Sequence, residues 1–243
     1  MSVLGVIPAR YGATRFPGKP LAEIAGKSLV RRVYEQARQA SSLDALLVAT
    51  DDARVFEHVL AFGGQAVMTQ PGHPSGTDRL GEVARLEAHS YYVNIQGDEP
   101  LIDPQAIDVL VGRTLEQGAA MSTLATPLGM DADALGNPAC VKVVIDLDGY
   151  ALYFSRAAIP YPHRPESAAY LKHVGVYMYS RETLLRLCHL APTSLELAEG
   201  LEQLRALQHG IRVLTVLTGY DPIAVDTPED VARVVARLGG GKS

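Results

Sequence analysis

The sequence has no tryptophan and only two cysteines, and it lacks any long apolar run. Cys140 and Cys188 lie in otherwise apolar segments and neither belongs to a Cys-x-x-Cys pair, so we predict packed, reduced thiols rather than a disulfide or a metal site. No apolar run approaches the roughly 20 residues of a membrane-spanning helix, and no basic segment followed by an apolar core opens the chain. We therefore expect a cytoplasmic protein with no membrane insertion.

Positive charge is also scarce, because 22 Lys and Arg residues stand against 27 Asp and Glu residues and the net charge is −5. This balance offers no general attraction to nucleic acid or to anionic membranes, so we predict no nucleic-acid partner. The basic residues must therefore act through their placement. The length of 243 residues suits one large α/β domain.

In the first half of the chain, short strand-like runs alternate with segments of helical periodicity. The sequence predicts strands at 3–7, 45–49 and 92–95, followed by helices at 29–40, 53–62 and 104–117 respectively. Such alternation is typical of βαβ units on a mostly parallel sheet. Asp103-Pro104 and Thr227-Pro228 each supply a capping residue followed by proline at the first helical position. We predict a Rossmann-like α/β fold.

The pattern changes between residues 121 and 179. Strand-like runs at 141–145 and 150–154 are joined through Asp148-Gly149, which predicts a hairpin. Residues 160–167 contain three prolines and no periodicity, so we predict a loop or lid. We predict a single domain over residues 1–243, with a β-rich subdomain inserted at about 121–179 and a disordered tail from Gly239.

Three cations are crowded into the Gly- and Pro-stiffened loop that follows the first predicted strand. Arg10, Arg15 and Lys19 stand at the carboxyl edge of the strands, where open α/β sheets bind ligands. The prolines of this loop fix φ and lower the entropic cost of holding the cations in one geometry. The spacing fits neither a Walker loop nor a dinucleotide-binding glycine turn. We predict a polyphosphate site, with a solvated basic loop as the alternative.

Two aspartates are candidates for a magnesium site. Asp98 follows a predicted strand, and the turn at Gly97 projects its carboxylate over the sheet edge. Mg²⁺ prefers one or two protein carboxylates and completes its shell with phosphate oxygens and water. Asp226, just before the last helix, is the best candidate for the second ligand, although it could be an ordinary turn aspartate. Glu99 is the alternative to Asp98.

Small hydroxyls and a glycine open a predicted helix within residues 73–80, which read HPSGTDRL. Ser75 and Gly76 can bring the backbone close to a pyrimidine or a ribose, while we expect Thr77 to cap the helix and Arg79 to contribute a donor. A plain helix cap would also select Ser or Thr here.

These motifs resemble the signature of sugar nucleotidyltransferases, and more closely that of the cytidylyltransferases that activate eight- and nine-carbon sugar acids. They stand in the order expected of the CMP-Kdo synthetase family, the 3-deoxy-manno-octulosonate cytidylyltransferases, and the resemblance spans residues 3–238. It is carried further by 94–100 (NIQGDEP), 151–156 (ALYFSR), 173–177 (HVGVY), 201–205 (LEQLR) and 225–230 (VDTPED). Ala13 and Ala224 depart from the family, which commonly has Ser and Gly there.

The resemblance implies a fold of the nucleotidyltransferase type, with the β-rich subdomain serving in dimerisation and substrate binding. It implies transfer of CMP from CTP to 3-deoxy-D-manno-octulosonate (Kdo), giving CMP-Kdo and pyrophosphate for lipopolysaccharide biosynthesis. The anomeric hydroxyl of Kdo would attack the α-phosphorus in line. The implied cofactor is Mg²⁺, held by Asp98 and Asp226 between the α-phosphate and the nucleophile, and the implied assembly is a homodimer.

The resemblance also assigns the site residues. The catalytic set is Arg10, Arg15, Lys19, Asp98 and Asp226. The nucleotide-binding set is Pro8, Ala9, Arg10, Arg15, Lys19, Ser75, Gly76, Thr77, Arg79, Gln96 and Asp98. The sugar-acid-binding set is Gln96, Arg156, His173, Tyr177, Glu202 and Gln203.

Strand and helix geometry adds to the sugar-acid assignment. In a strand at 173–177, residues 173, 175 and 177 share one side, and Val174 and Val176 face the core. Glu202 and Gln203 fall in a helix predicted at 199–208, where a solvated surface pair is the alternative.

Three other functions stay open at this point. The acceptor could be another sugar acid, of the amino-Kdo or sialate type. An alcohol cytidylyltransferase would give no reason for Arg156, His173 and Gln203 together. A nucleotide-binding regulator without turnover is disfavoured by the presence of both Asp98 and Asp226.

Overall fold

The computed structural model describes residues 1–12, 16–129, 132–164 and 168–239. Ala13 and Arg15 lie outside these ranges. Residues 165–167 of the predicted lid and residues 240–243 of the predicted tail also lie outside them. The chain divides into two compact units, the first made of residues 1–108 and 222–243 and the second of residues 109–221. The boundary falls inside a helix, Pro104–Gln117. The prediction of one domain with an insertion at 121–179 stays a prediction.

The strands in chain order are β1 (Val3–Pro8), β2 (Glu23–Ile24), β3 (Lys27–Ser28), β4 (Ala45–Thr50), β5 (Ala66–Met68), β6 (Tyr91–Asn94), β7 (Met121–Pro127), β8 (Lys142–Ile145), β9 (Ala151–Ser155), β10 (Leu171–Ser180) and β11 (Leu214–Leu217). The α-helices are α1 (Leu29–Ala37), α2 (Ala53–Ala61), α3 (Gly76–Leu86), α4 (Pro104–Gln117), α5 (Ala132–Gly136), α6 (Arg181–Leu187), α7 (Ser194–Glu199), α8 (Gln203–Gln208) and α9 (Pro228–Gly239).

The first unit is built on parallel strands with helices between them. β1 pairs in parallel with β4 on one side and with β6 on the other, and β4 pairs in parallel with β5. The residues of β1 are almost entirely buried, as expected for a strand covered on both faces. The predicted alternation of strand and helix is confirmed here, and β2 and β3 form a separate small hairpin.

Carboxylates stabilise the starts of α4 and α9. The Asp103 carboxylate accepts the backbone N–H of Gln105 at 2.9 Å, which confirms the predicted cap of α4. α9 begins at Pro228 as predicted, and the Asp230 carboxylate accepts the backbone N–H groups of Asp226 and Thr227. α1 and α2 stop at Ala37 and Ala61, short of the predicted ends.

The strands of the second unit pair in both directions. β7 pairs antiparallel with β10 and parallel with β11. The predicted hairpin is confirmed: β8 and β9 pair antiparallel, Gly149 adopts φ 86°, and the N–H of Asp146 donates to the carbonyl of Tyr150 at 2.8 Å. Only glycine adopts that φ without strain, so its position sets the turn.

Two details of the second unit differ from the sequence prediction. The pairing of β10 with β7 shifts between Val174 and Tyr177, an irregularity that the sequence did not predict. The predicted facing is nevertheless confirmed, because the rings of His173 and Tyr177 lie 5.4 Å apart and Val174 and Val176 are buried. The helix predicted at 199–208 ends where predicted but begins only at Gln203, because α7 ends at Glu199 and Gly200, with φ 63°, caps it in the left-handed conformation.

The second unit also buries a lysine whose described partners are backbone carbonyls. Lys142 has no exposed surface, and its ammonium donates to the backbone carbonyls of Asn137, Cys140 and Arg156 at 3.2, 2.6 and 2.8 Å. Both cysteines are free thiols, as predicted, and burial raises the pKa of Cys140. None of the described helices has the length and apolar character of a membrane span.

Candidate functional site

A cavity of about 350 Å³ opens in the first unit, just beyond the carboxyl ends of β1 and β6. It is lined by residues of four chain segments: Pro8, Ala9, Arg10, Phe16, Lys19 and Pro20; His73, Pro74, Ser75, Gly76 and Arg79; Gln96, Gly97 and Asp98; and Asp226. The predicted location at the sheet edge is the one where open α/β sheets bind ligands.

Close backbone approach assembles this cavity. A Cβ atom on Gly97 would lie 2.6 Å from the carbonyl oxygen of Pro8, so the chain after β6 can pass the end of β1 only with glycine at this position. The backbone N–H of Val225 donates to the carbonyl of Asp98 at 2.8 Å. This bond brings Asp226 beside Asp98, although the two are far apart in sequence.

Lys19 lies between the two aspartates. Its Nζ is 2.9 Å from Oδ2 of Asp98 and 3.5 Å from Oδ1 of Asp226. Both carboxylates thus reach one cation, and the local charge of the three groups is −1. The exposed Arg10 lines the same cavity, whereas Arg15 lies outside the described residues.

The loop that carries Lys19 is held by its own backbone and by Tyr11. The N–H of Gly18 donates to the carbonyl of Tyr11 at 2.9 Å, and Gly18 has φ 74°, a conformation that favours glycine. The guanidinium of Arg54 stacks on the Tyr11 ring at 3.5 Å from its centroid, while Asp52 pairs with the same guanidinium. Lys19 then opens a short 3-10 helix, Lys19–Leu21.

The donor set of Asp98 and Asp226 fits Mg²⁺. Within the described ranges, no three His, Cys, Asp or Glu side chains are arranged to hold a metal ion on their own. Two carboxylates around one cationic centre are nevertheless what Mg²⁺ takes from a protein when phosphate oxygens and water supply its other ligands. Glu99, the alternative ligand, is buried and does not belong to the described cavity lining.

The segment at 73–80 opens α3, and Ser75 is its cap. The Ser75 hydroxyl accepts the N–H of Asp78 at 3.1 Å and donates to the Asp78 carboxylate at 2.8 Å. The prediction that Thr77 caps this helix is wrong, because Thr77 is buried one residue inside it and is not among the described lining residues. Ser75 and Gly76 line the cavity as predicted.

Arg79 lines the cavity but is 3% exposed, and its guanidinium is already engaged. It donates to Asp51 at 2.8 Å and to the Thr69 hydroxyl. Such a buried, paired arginine holds neighbouring segments in place. Arg79 therefore supports the cavity wall, and its predicted role as a donor to the nucleotide stays a prediction.

His73 also lines the cavity and is oriented by Glu82. Nε2 of His73 lies 2.5 Å from the Glu82 carboxylate, which also accepts the N–H of Gln70. Burial alone would raise the pKa of Glu82, but the hydrogen bonds from His73 and Gln70 outweigh it and lower the pKa. Glu82 thus stays charged and fixes the imidazole.

Sequence reasoning missed five lining residues, all of which lie within motifs that it had singled out. The five are Phe16, Pro20, His73, Pro74 and Gly97. Their membership in those motifs was the available signal.

The second unit holds a neutral polar cluster at two of the predicted sugar-acid residues. The imidazole of His173 lies between the rings of Phe154 and Tyr177, at 5.1 and 5.4 Å, and its Nε2 is 3.0 Å from the Thr123 hydroxyl. Burial lowers the pKa of His173 to about 3, so the ring is neutral near pH 7. The pKa of Tyr177 is raised well above its usual value, mainly by burial and to a smaller extent by electrostatic repulsion from Tyr179 and Glu202.

Arg156 is engaged with backbone carbonyls. Its guanidinium donates to the carbonyls of Glu199, Pro138 and Gly200 at 2.7, 2.8 and 3.2 Å, and so ties down the end of α7. Glu202 occupies the position before α8, and Gln203 is the buried first residue of that helix. Their assignment to sugar binding stays a prediction.

Known proteins resemble this chain over nearly its whole length. Residues 4–213 match the family described as Cytidylyltransferase. The 3-deoxy-manno-octulosonate cytidylyltransferase of Syntrophotalea carbinolica is 47% identical and covers 99% of this chain and 100% of its own. The protein of the same name from Geobacter sulfurreducens is 46% identical and covers 98% and 100%.

Solved structures agree with these relatives. A structure of CMP:2-keto-3-deoxy-manno-octonic acid synthetase complexed with CTP has a TM-score of 0.95 at 43% identity and covers 99% of both chains. A 4-diphosphocytidyl-2C-methyl-D-erythritol synthase from Anaerococcus prevotii, at 13% identity and a TM-score of 0.65 over 98% and 96% of the chains, shows the fold alone. The α/β nucleotidyltransferase-type fold is confirmed, and so is the resemblance seen in the motifs. The chain belongs to the cytidylyltransferase family, among the 3-deoxy-manno-octulosonate cytidylyltransferases.

Proposed function

We propose that the protein transfers CMP from CTP to Kdo and releases pyrophosphate, in the service of lipopolysaccharide biosynthesis. The observation that carries this proposal is the cavity at the end of β1 and β6, lined by the same motifs that relate the chain to 3-deoxy-manno-octulosonate cytidylyltransferases. In the reaction, a bond forms between the sugar's anomeric oxygen and the α-phosphorus, and the bond from that phosphorus to pyrophosphate breaks.

The cations of the first loop serve the leaving phosphates. Arg10 and Lys19 line the cavity, and Arg15 belongs to the same loop in sequence. Their charge offsets that of the triphosphate and of the departing pyrophosphate, which is the main demand of phosphoryl-type transfer. Ser75 and Gly76, at the start of α3, bring backbone and a hydroxyl to the nucleoside.

We propose that the activity depends on Mg²⁺ held by Asp98 and Asp226. When bound, the ion supplies positive charge to phosphate oxygens and orients them. The two aspartates are suited to this because the bond between Val225 and Asp98 fixes their segments side by side.

In this proposal the second unit contributes neutral and charged groups to recognition of the sugar acid. His173 and Tyr177 present uncharged nitrogen and hydroxyl groups to the hydroxyls of Kdo, and Gln203 supplies both donor and acceptor capacity. Arg156 and Glu202 belong to the same predicted set, and so does Gln96 of the first unit.

We also propose a homodimer with contacts in residues 121–179. Leu147 and Leu152 support it, because both apolar side chains are exposed on the hairpin of β8 and β9. Light scattering tests it, and a monomeric mass at micromolar concentration would contradict it. Location in the cytoplasm stays a prediction from the sequence.

Pyrophosphate release tests the function directly. The protein is mixed with CTP and Mg²⁺, and with Kdo, an amino-substituted Kdo or a sialic acid in parallel. We expect release with Kdo, its loss on chelation with EDTA and its return with Mg²⁺. Faster release with another sugar acid would move the assignment to that substrate, and no release with any of them would favour the regulator. Full activity of the chelated, metal-free protein would contradict the metal dependence.

A further inference from the structure

The ammonium of Lys19 occupies the place between the two carboxylates proposed to hold Mg²⁺. It lies 2.9 Å from Asp98 and 3.5 Å from Asp226. The Lys19 side chain is 16% exposed, less than the 28% and 43% of its two partners, so it sits below the aspartates rather than over them. This position follows from the loop geometry, because Lys19 begins a 3-10 helix directly after the turn at Gly18.

A divalent cation and this ammonium cannot share the two carboxylates. An ion bound to the same oxygens would lie within a few ångströms of Nζ, where the repulsion between like charges is strong in a partly buried site. The backbone on either side of Lys19 is pinned, since the N–H of Gly18 bonds to Tyr11 and that of Leu21 bonds to Gly18. Only the flexible side chain is therefore available to move.

We propose that Lys19 is an internal counter-ion that competes with the divalent cation for Asp98 and Asp226. The triphosphate relieves this competition by accepting the ammonium, and so nucleotide and metal bind with positive coupling. The inference rests on the proposed assignment of Asp98 and Asp226 as metal ligands. Lys19 thus pairs with the two carboxylates in the free protein and with the triphosphate in the complex. The metal ion therefore binds chiefly together with the nucleotide.

Binding of Mn²⁺ alone tests the competition. Mn²⁺, a paramagnetic substitute for Mg²⁺, is titrated into wild type and into Lys19→Met without nucleotide or sugar, and free Mn²⁺ is followed by electron paramagnetic resonance. Removing a partly buried ion pair favours the competing ion, so we expect about 3- to 30-fold tighter Mn²⁺ binding in the variant. Unchanged or weaker binding would overturn the proposal.

Two further variants make the result specific. Lys27→Met breaks another lysine pair of the first unit, that of Lys27 with Glu35 at 2.5 Å, and should leave Mn²⁺ affinity unchanged. In Lys19→Met/Asp226→Asn the gain should disappear. If Lys27→Met gives the same gain, or if the double variant keeps it, net charge or another site explains the effect and the proposal fails.

The coupling with nucleotide is tested by the affinity for CTP with and without Mg²⁺. Chelation of Mg²⁺ by CTP in solution is common to wild type and Lys19→Met, so it cancels when the two ratios are compared. Coupling between two ligands is reciprocal. The ratio of the CTP affinity with Mg²⁺ to that without Mg²⁺ should therefore be lower in Lys19→Met than in wild type, by about the factor gained in Mn²⁺ affinity. Equal ratios would overturn the relief by triphosphate. None of these titrations contains sugar, so a failed pyrophosphate assay would contradict the proposed function without deciding their outcome.

Discussion

The cavity of the first unit and the polar cluster of the second unit use opposite physical means. The cavity holds charged side chains that remain partly exposed, such as Lys19, Asp98 and Asp226. The cluster holds His173 and Tyr177 in neutral form among aromatic rings. Exposed charge contributes little to stability but acts strongly on a charged ligand, whereas an enclosed neutral group contributes to both stability and selectivity.

The largest effect is expected at the charged cavity. Asp98→Asn removes one ligand charge at an exposed edge, so we expect pyrophosphate release to fall about 100-fold or more while the unfolding free energy changes little. Initial rates and urea unfolding measure the two quantities. Asp148→Asn makes the same charge change in the exposed hairpin turn and should keep full activity. A well-folded Asp98→Asn protein with wild-type rates would remove Asp98 from the site.

Acid should destabilise the protein through the enclosed cluster. The imidazole of His173 has a pKa of about 3 when folded and an ordinary value near 6.5 when unfolded. As the pH falls through 6.5, the unfolded chain gains a proton that the folded protein excludes, so the unfolding free energy drops. Between pH 7 and 4.5 this amounts to about 2 to 3 kcal/mol.

His173→Gln isolates this contribution, because the other titrating groups are common to both proteins. Unfolding in urea at pH 7 and pH 4.5 should show that wild type loses about 2 kcal/mol more than the variant. Equal losses in the two proteins would mean that His173 titrates normally and that the cluster is open to water.

The second unit should also distinguish sugar from nucleotide. Gln203→Ala removes a buried amide, and we expect Kdo affinity to fall by about 1 to 2 kcal/mol while CTP affinity stays the same. Calorimetric titration with each substrate separately measures both. Gln208→Ala, in the exposed end of the same helix, is the matched control. Loss of CTP affinity with intact Kdo affinity would contradict the placement.

Local chemistry explains what the sequence could predict. Strand 3–8 and helix 104–117 were predictable because their apolar period and caps decide them locally. The engagement of Arg79 with Asp51, and of Arg156 with three carbonyls, was not, because each depends on partners far away in sequence. The break at Gly200 was visible as a glycine, but only tertiary packing shows which glycines end a helix.

The smallest effect is expected where the cavity's first loop is held from outside. Arg54 stacks on Tyr11 at 3.5 Å, yet it does not belong to the described cavity lining. An exposed cation–π contact orients the loop only weakly, so Arg54→Ala should raise the KM for CTP about two- to fivefold and leave kcat nearly unchanged. Arg113→Ala, which breaks an exposed pair with Glu116, should change neither value. A large fall in kcat for Arg54→Ala would show instead that this arginine acts on the reacting phosphates. Arg54 would then belong to the charged cavity in its contrast with the enclosed neutral cluster.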